Sequence, residues 1–131
     1  MRMNKTQNLT GHASKIQIRE REQRLGQRGV TVWFTGLSAS GKSTIAGELE
    51  RRLFDDGHLV YWLDGDNVRT GINADLGFSA EDRTENIRRI AEAARLFNDA
   101  GLLVVAAFIS PSSVDRMNAC KVIGDDRFYE V

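Results

Sequence analysis

Val30-Thr31-Val32-Trp33-Phe34-Thr35 is an apolar, β-branched run of strand length, and Thr44 to Phe54 after it spaces its apolar positions as a helix does. Gly57 closes that pattern, and Leu59-Val60-Tyr61-Trp62-Leu63 reads as a second strand. Beyond Gly77, Ser79 with Asp82 three positions later predicts a capping box. Ile87, Ile90, Ala91, Ala94 and Phe97 then recur at helical spacing until Gly101. Leu102 to Ile109 is apolar without alternation, the pattern of a central parallel strand covered on both faces. Ser110-Pro111-Ser112 opens a further helix over Ser113 to Ile123, and Phe128-Tyr129-Glu130-Val131 has the look of a strand beginning. Upstream, Ile18 to Gln27 carries Arg19, Glu20, Arg21, Glu22 and Arg24, which predicts a short charged surface helix ended by Gly26 or Gly29, a solvated lead-in.

Strands alternating with helices predict a doubly wound parallel α/β sheet with right-handed crossovers and a ligand crevice at the carboxyl ends of the strands. The loops after the first three strands should therefore gather at one edge. Residues 1–28 form the polar and charged lead-in, and 29–131 one domain. A chain of 131 residues with 41% hydrophobic and 27% charged composition is of ordinary globular kind and long enough to bury a core. Its 18 basic and 18 acidic residues balance, so the global charge points to neither nucleic acid nor an anionic membrane surface. No apolar run approaches the roughly 20 residues of a membrane helix, and the amino terminus lacks the apolar core of a secretory signal. Met1 to Ser14 lacks acidic residues but is neither arginine-rich nor amphipathic enough for a transit peptide, so a soluble, unexported protein is expected. Cys120 is the single cysteine, which excludes an intramolecular disulfide and a multi-cysteine metal site and fits a reducing compartment.

The loop after the first strand carries the chemistry. Gly36-Leu37-Ser38-Ala39-Ser40-Gly41-Lys42-Ser43 has the form G-x-x-x-x-G-K-[ST], set between a strand and a helix as a phosphate-binding loop requires. Gly36 and Gly41 let the backbone approach an anion, and successive amides with the positive end of the new helix face the phosphates of a nucleoside triphosphate such as ATP. Lys42 reaches the outer phosphates, and the Ser43 hydroxyl suits the Mg2+ that travels with the triphosphate.

Asp64 and Asp66 follow the second strand. They could hold magnesium through water, orient an attacking hydroxyl or take its proton, or else form a plain Asx turn. Arg69, Arg83, Arg88 and Arg89 are a cluster from which a guanidinium could clamp an anion, with Arg88 and Arg89 read as solvated. Phe78, just before the helix cap, either stacks on a base or staples hydrophobically onto the helix. His12 and His58 stand alone and suggest no metal site or nucleophilic triad.

Four blocks in order resemble those of the adenylylsulfate kinase (APS kinase) family. They are Thr35 to Thr44, then Leu63-Asp64-Gly65-Asp66-Asn67-Val68-Arg69, then Leu76-Gly77-Phe78-Ser79 with Asp82 to Arg89, and Phe108-Ile109-Ser110-Pro111. The phosphate loop alone is generic, whereas the other three together are specific, and the resemblance runs from about Gln27 to the end. It implies a three-layer P-loop kinase fold with a parallel sheet, C-terminally incomplete. The implied reaction moves the γ-phosphoryl of ATP to the 3′-hydroxyl of adenosine 5′-phosphosulfate in cytoplasmic sulfate assimilation. On this resemblance Gly36, Leu37, Ser38, Ala39, Ser40, Gly41, Lys42, Ser43 and Thr44 hold the ATP phosphates, with Ser43 and Asp64 on Mg2+. Asp66 orients the 3′-hydroxyl, Arg69, Arg83 and Asn86 hold the phosphosulfate substrate, Phe78 stacks on its adenine, and Ile109 and Ser110 line the site. A phosphoserine at Ser110 is not needed for in-line transfer. A homodimer is an expectation carried by the resemblance, and a fused or associated ATP sulfurylase is a partner it leaves open.

The chain departs from the family pattern at Ser112 and Ser113, where an aromatic and a basic residue usually stand, which removes a contact to substrate or phosphate. The family domain also continues past the position of Val131 with further strands and a basic lid, whose loss would lower both rate and binding. Two other readings stay open: another small-molecule kinase of the same fold, against which the second and fourth blocks argue, and a nucleotide-binding fragment without turnover.

Overall fold

The structure, a computed structural model, describes residues 14–35, 39–108 and 112–131, with residues 39–44 and 66 described by their backbone alone. In chain order the elements are α1 (Ile18–Leu25), β1 (Thr31–Phe34), α2 (Ala39–Asp55), β2 (Val60–Leu63), α3 (Gly65–Arg69), α4 (Ala80–Asp99), β3 (Leu103–Ala107) and α5 (Ser113–Ile123). A single 3-10 turn (Asp125–Arg127) leads into β4 (Phe128–Glu130). The sheet is parallel, in the order β2-β3-β1-β4. Trp33 pairs with Ala106 and Ala106 with Leu63, so β1, β3 and β2 end nearly level. The residues that follow them, Thr35, Asp64 and Phe108, accordingly start three loops from one edge.

The lack of alternation in β3 has a direct cause. Val104 and Ala106 belong to the core beneath α4 and α5, with Trp33, Ile87, Ile90, Ala94, Ala119 and Ile123, whereas Val105 packs on the opposite face with Phe34 and Ala46 of α2. Both sides are dry, so both phases of the strand are apolar. Trp33 is fully buried, with the rings of Phe128 and Phe108 at 5.7 and 6.4 Å. This is the three-layer α/β arrangement expected, with α2 on one face and α4 and α5 on the other. Of the boundaries, α5 spans Ser113–Ile123 as predicted, whereas α2 begins at Ala39, ahead of the expected Thr44, and α3 after β2 was not anticipated.

The lead-in departs from its expectation. Gly26 ends α1 in the left-handed region at φ 68°, and α1 has no fully buried residue, as a charged surface helix should. Yet Glu22 accepts from the Gly29 N–H at 2.7 Å and from Arg127 Nη1 at 2.6 Å, and Arg127 also donates to the Gly29 carbonyl at 2.7 Å. Gln27 donates to the carbonyls of Leu59 and Gly101 at 2.9 and 2.8 Å and accepts from Leu59 N–H at 3.0 Å, bridging the chain ahead of β2 and β3. The segment is therefore tied to the amino-terminal edge of the sheet by long-range polar contacts that hydrophobic periodicity does not register. The Ser79 cap also differs from a full capping box. Its hydroxyl accepts from Asp82 N–H at 3.1 Å, but the Asp82 carboxylate accepts from Gly77 N–H at 2.7 Å instead of from the cap residue.

Candidate functional site

Four residues separate β1 from α2, so the first turn of a 17-residue helix starts at the carboxyl edge with its free amides there, the arrangement that receives phosphate. Gly36, Leu37 and Ser38 lie outside the described residues, as do Ile109 and Ser110. Ala39, Ser40, Gly41, Lys42, Ser43 and Thr44 form the start of α2 in backbone, and Asp66 lies within α3.

Asp64 precedes α3, and its two-residue spacing from Asp66 proves to be cap chemistry at least in part. Asp64 Oδ1 accepts from Asn67 N–H at 2.8 Å, Asn67 Oδ1 accepts from Asp64 N–H at 3.0 Å, and Asn67 Nδ2 donates to the Trp62 carbonyl at 2.9 Å. This reciprocal pair fixes the carboxylate at the end of β2 and occupies one oxygen. Oδ2 has no partner among the described residues and is available to a cation. Among the described residues no group of three His, Cys, Asp or Glu converges to hold a metal.

The second cluster assembles from α3, the loop after it and the start of α4. The Arg69 guanidinium lies over the Phe78 ring, 4.6 Å from its centroid, and Arg83 Nε donates to the Phe78 carbonyl at 3.1 Å. Phe78 is 71% exposed, so it is not packed as a hydrophobic staple, and the Arg69 guanidinium is its ring's one described cationic neighbour. Neither Arg69 nor Arg83 has a carboxylate partner among the described residues, whereas the arginines read as solvated are committed to structure. Arg88 pairs with Glu85 at 2.7 Å, and Arg89 binds Glu85, Asp75 and the Ile72 carbonyl. Hydrogen bonds from Arg88 and then Arg89 hold the Glu85 carboxyl down at about 2, and that from Arg89 lowers Asp75. The arginines thus divide into Arg88, paired within α4, Arg89, which pins the loop before it, and two without a carboxylate partner among the described residues.

Asn86, one helical turn after Arg83 and on the same side of α4, is buried, and its Oδ1 accepts from Nδ2 of the still more deeply buried Asn73 at 2.5 Å. Ser112, one of the two departures from the family pattern, caps α5: its hydroxyl accepts from Asp115 N–H at 3.3 Å, and Asp115 accepts from Thr84 at 3.3 Å. Sequence reading gave no role to the supporting residues Asn67 and Asn73. Asn67 carried a signal, since a side-chain oxygen three residues after Asp64 completes a cap, whereas burial of Asn73 could not be anticipated from periodicity.

A family model described as adenylylsulphate kinase matches residues 28–131. A relative named adenylyl-sulfate kinase from Clostridium acetobutylicum is 53% identical over all 131 residues and 65% of its own length. Another so named, from Klebsiella pneumoniae, is 55% identical over 125 residues, covering 95% of this chain and 62% of its own. The solved Mycobacterium tuberculosis APS kinase CysC in complex with AMPPNP and APS is 53% identical, with a TM-score of 0.74 over 79% of this chain and 61% of that one. The chain thus spans rather less than two thirds of the length of these curated relatives.

Proposed function

The chain belongs to the adenylylsulphate kinase family, and from that premise we propose that it carries the nucleotide- and substrate-binding part of an enzyme phosphorylating adenylylsulfate at its 3′-hydroxyl. The observation that carries this reading is the exposed Phe78, with the Arg69 guanidinium over its ring and Arg83 on its backbone carbonyl, two guanidiniums without carboxylate partners among the described residues. A flat aromatic face beside two such cations suits a purine whose anionic tail lies close by. That a solved relative binds APS and an ATP analogue supports the same reading.

In the proposed reaction the 3′-hydroxyl oxygen of adenylylsulfate bonds to the γ-phosphorus of ATP as the bond from that phosphorus to the β,γ-bridging oxygen breaks, with ADP leaving in line. Lys42 and the α2 amides hold the triphosphate, Arg69, Arg83 and Asn86 hold the phosphosulfate, and Phe78 stacks on adenine. Asp66 orients the hydroxyl and receives its proton. Mg2+, held by Ser43 and the open oxygen of Asp64, would neutralise charge between the outer phosphates. Ser110 and Ile109 line the site without a covalent step, and the setting is the cytoplasm.

ADP release from magnesium-ATP should rise on addition of adenylylsulfate and vanish in Lys42→Ala. Arg83→Ala should raise the adenylylsulfate requirement by about tenfold, as the loss of a charged hydrogen bond worth about 1.5 kcal/mol implies, with the ATP requirement within about twofold of wild type. Equal effects on both substrates would contradict the placement of Arg83.

A further inference from the structure

Asn73 is 1% exposed, lies between α3 and α4, and belongs to none of the residues assigned a role above. Its Nδ2 faces two oxygens of one residue, Asn86 Oδ1 at 2.5 Å and the Asn86 carbonyl at 3.4 Å. A backbone carbonyl only accepts, so the Asn73 atom turned towards it is the nitrogen, and that settles which way the amide points. The same orientation leaves Asn73 Oδ1 buried with no hydrogen-bond partner. Native folds rarely tolerate such an oxygen, and its presence here calls for a reason. Asn86 provides one. With its Oδ1 occupied by Asn73, Asn86 has only its Nδ2 left to offer, and that atom is neither fully buried nor bonded to another described residue.

We propose that Asn73 is a positioning residue that locks the Asn86 amide with its nitrogen outward, so that Asn86 meets the anionic substrate as a donor. The proposal rests on the reading of Asn86 as a ligand of adenylylsulfate. An amide free to turn over would present its oxygen to the phosphosulfate half of the time, and repulsion there would discriminate against that substrate while leaving ATP untouched. The backbone of Asn73 is independently fixed by its N–H bond to the Val68 carbonyl at 2.9 Å, so removing the side-chain amide leaves the loop anchored.

Titration calorimetry on the 131-residue chain tests this with adenylylsulfate and with magnesium-ATP. Asn73→Ala should weaken adenylylsulfate by about twofold, the half of the amide population lost to the wrong orientation, with ATP unchanged, and Asn73→Asp, whose carboxylate accepts from Asn86 and turns its oxygen outward, should weaken adenylylsulfate by roughly tenfold. Adenylylsulfate affinity unchanged in folded Asn73→Ala, or a parallel loss for both ligands, would overturn the inference. Side-chain amide exchange by NMR separates it from the functional reading. Slow Asn73 Nδ2 protons and fast Asn86 Nδ2 protons are expected in the free chain, and the reverse order would overturn the lock whether or not adenylylsulfate binds. A wild-type chain that shows the expected exchange but takes up no adenylylsulfate would retain the lock and contradict the function.

Discussion

Phe78 shows how a single residue's surroundings decide between two uses of one side chain. A staple would bury the ring against α4; here it is 71% exposed and touches the Arg69 guanidinium, so its truncation removes little packing. Stacking of a base on an aromatic contributes about 1–3 kcal/mol. Phe78→Ala should therefore weaken adenylylsulfate about tenfold, by calorimetry, with the thermal midpoint unchanged within about 2 °C. A large fall in the midpoint would return Phe78 to the packing role. Gly29 makes the opposite point, since its importance comes from steric room and not from chemistry. A Cβ there would stand 2.2 Å from the Asn98 carbonyl oxygen, a backbone atom that cannot step aside, where the α4 terminus meets the start of β1. Gly29→Ala should cost about 2–3 kcal/mol in denaturant unfolding, at the upper end of ordinary overpacking.

At the scale of elements, α1 is held by charge and not by burial. The Glu22 carboxylate is only 15% exposed and Arg127 only 18%. The Arg127 hydrogen bond, with help from Gly29 N–H and against the effect of burial, lowers the Glu22 pKa below its usual 4.5. A carboxyl lowered on folding stabilises above its unfolded pKa, and that contribution fades as pH falls through the folded value. Glu22→Gln should therefore lose about 1.5–3 kcal/mol near pH 7, the range for a hydrogen bond to a charged group. The deficit should shrink as pH falls below the usual 4.5 and on through the lowered folded value, where wild type protonates. Unfolding curves at pH 7 and pH 3 for both proteins decide it, and a deficit constant with pH would remove the charge from the explanation. The strands and long helices were legible in sequence because apolar position and burial coincide: Ile87, Ile90, Ala91 and Ala94 face the core and β3 is covered on both sides. The docking of α1 was not legible, because Gln27, Glu22 and Arg127 are polar residues joined across as many as 105 positions.

Across the whole molecule, level strand ends turn separate motifs into one edge. The start of α2, Asp64 and Phe108 share that edge because β1, β3 and β2 run parallel in nearly matched register, a relation the alternating pattern already implied. Strand order was not legible, since nothing local tells β4 to add beside β1. The assigned roles divide similarly. Arg69 and Arg83 each contact Phe78, whereas the pairing of Arg88 and Arg89 with carboxylates appeared only with Glu85 and Asp75 in place. The central claim is that this edge brings ATP together with adenylylsulfate for phosphoryl transfer. Incubating the purified chain with magnesium-ATP and adenylylsulfate and separating the nucleotides chromatographically tests it most directly. The account predicts 3′-phosphoadenylyl sulfate formed only when both substrates are present and absent with Lys42→Ala; a folded chain that yields no such product, or yields it equally with Lys42→Ala, would contradict it.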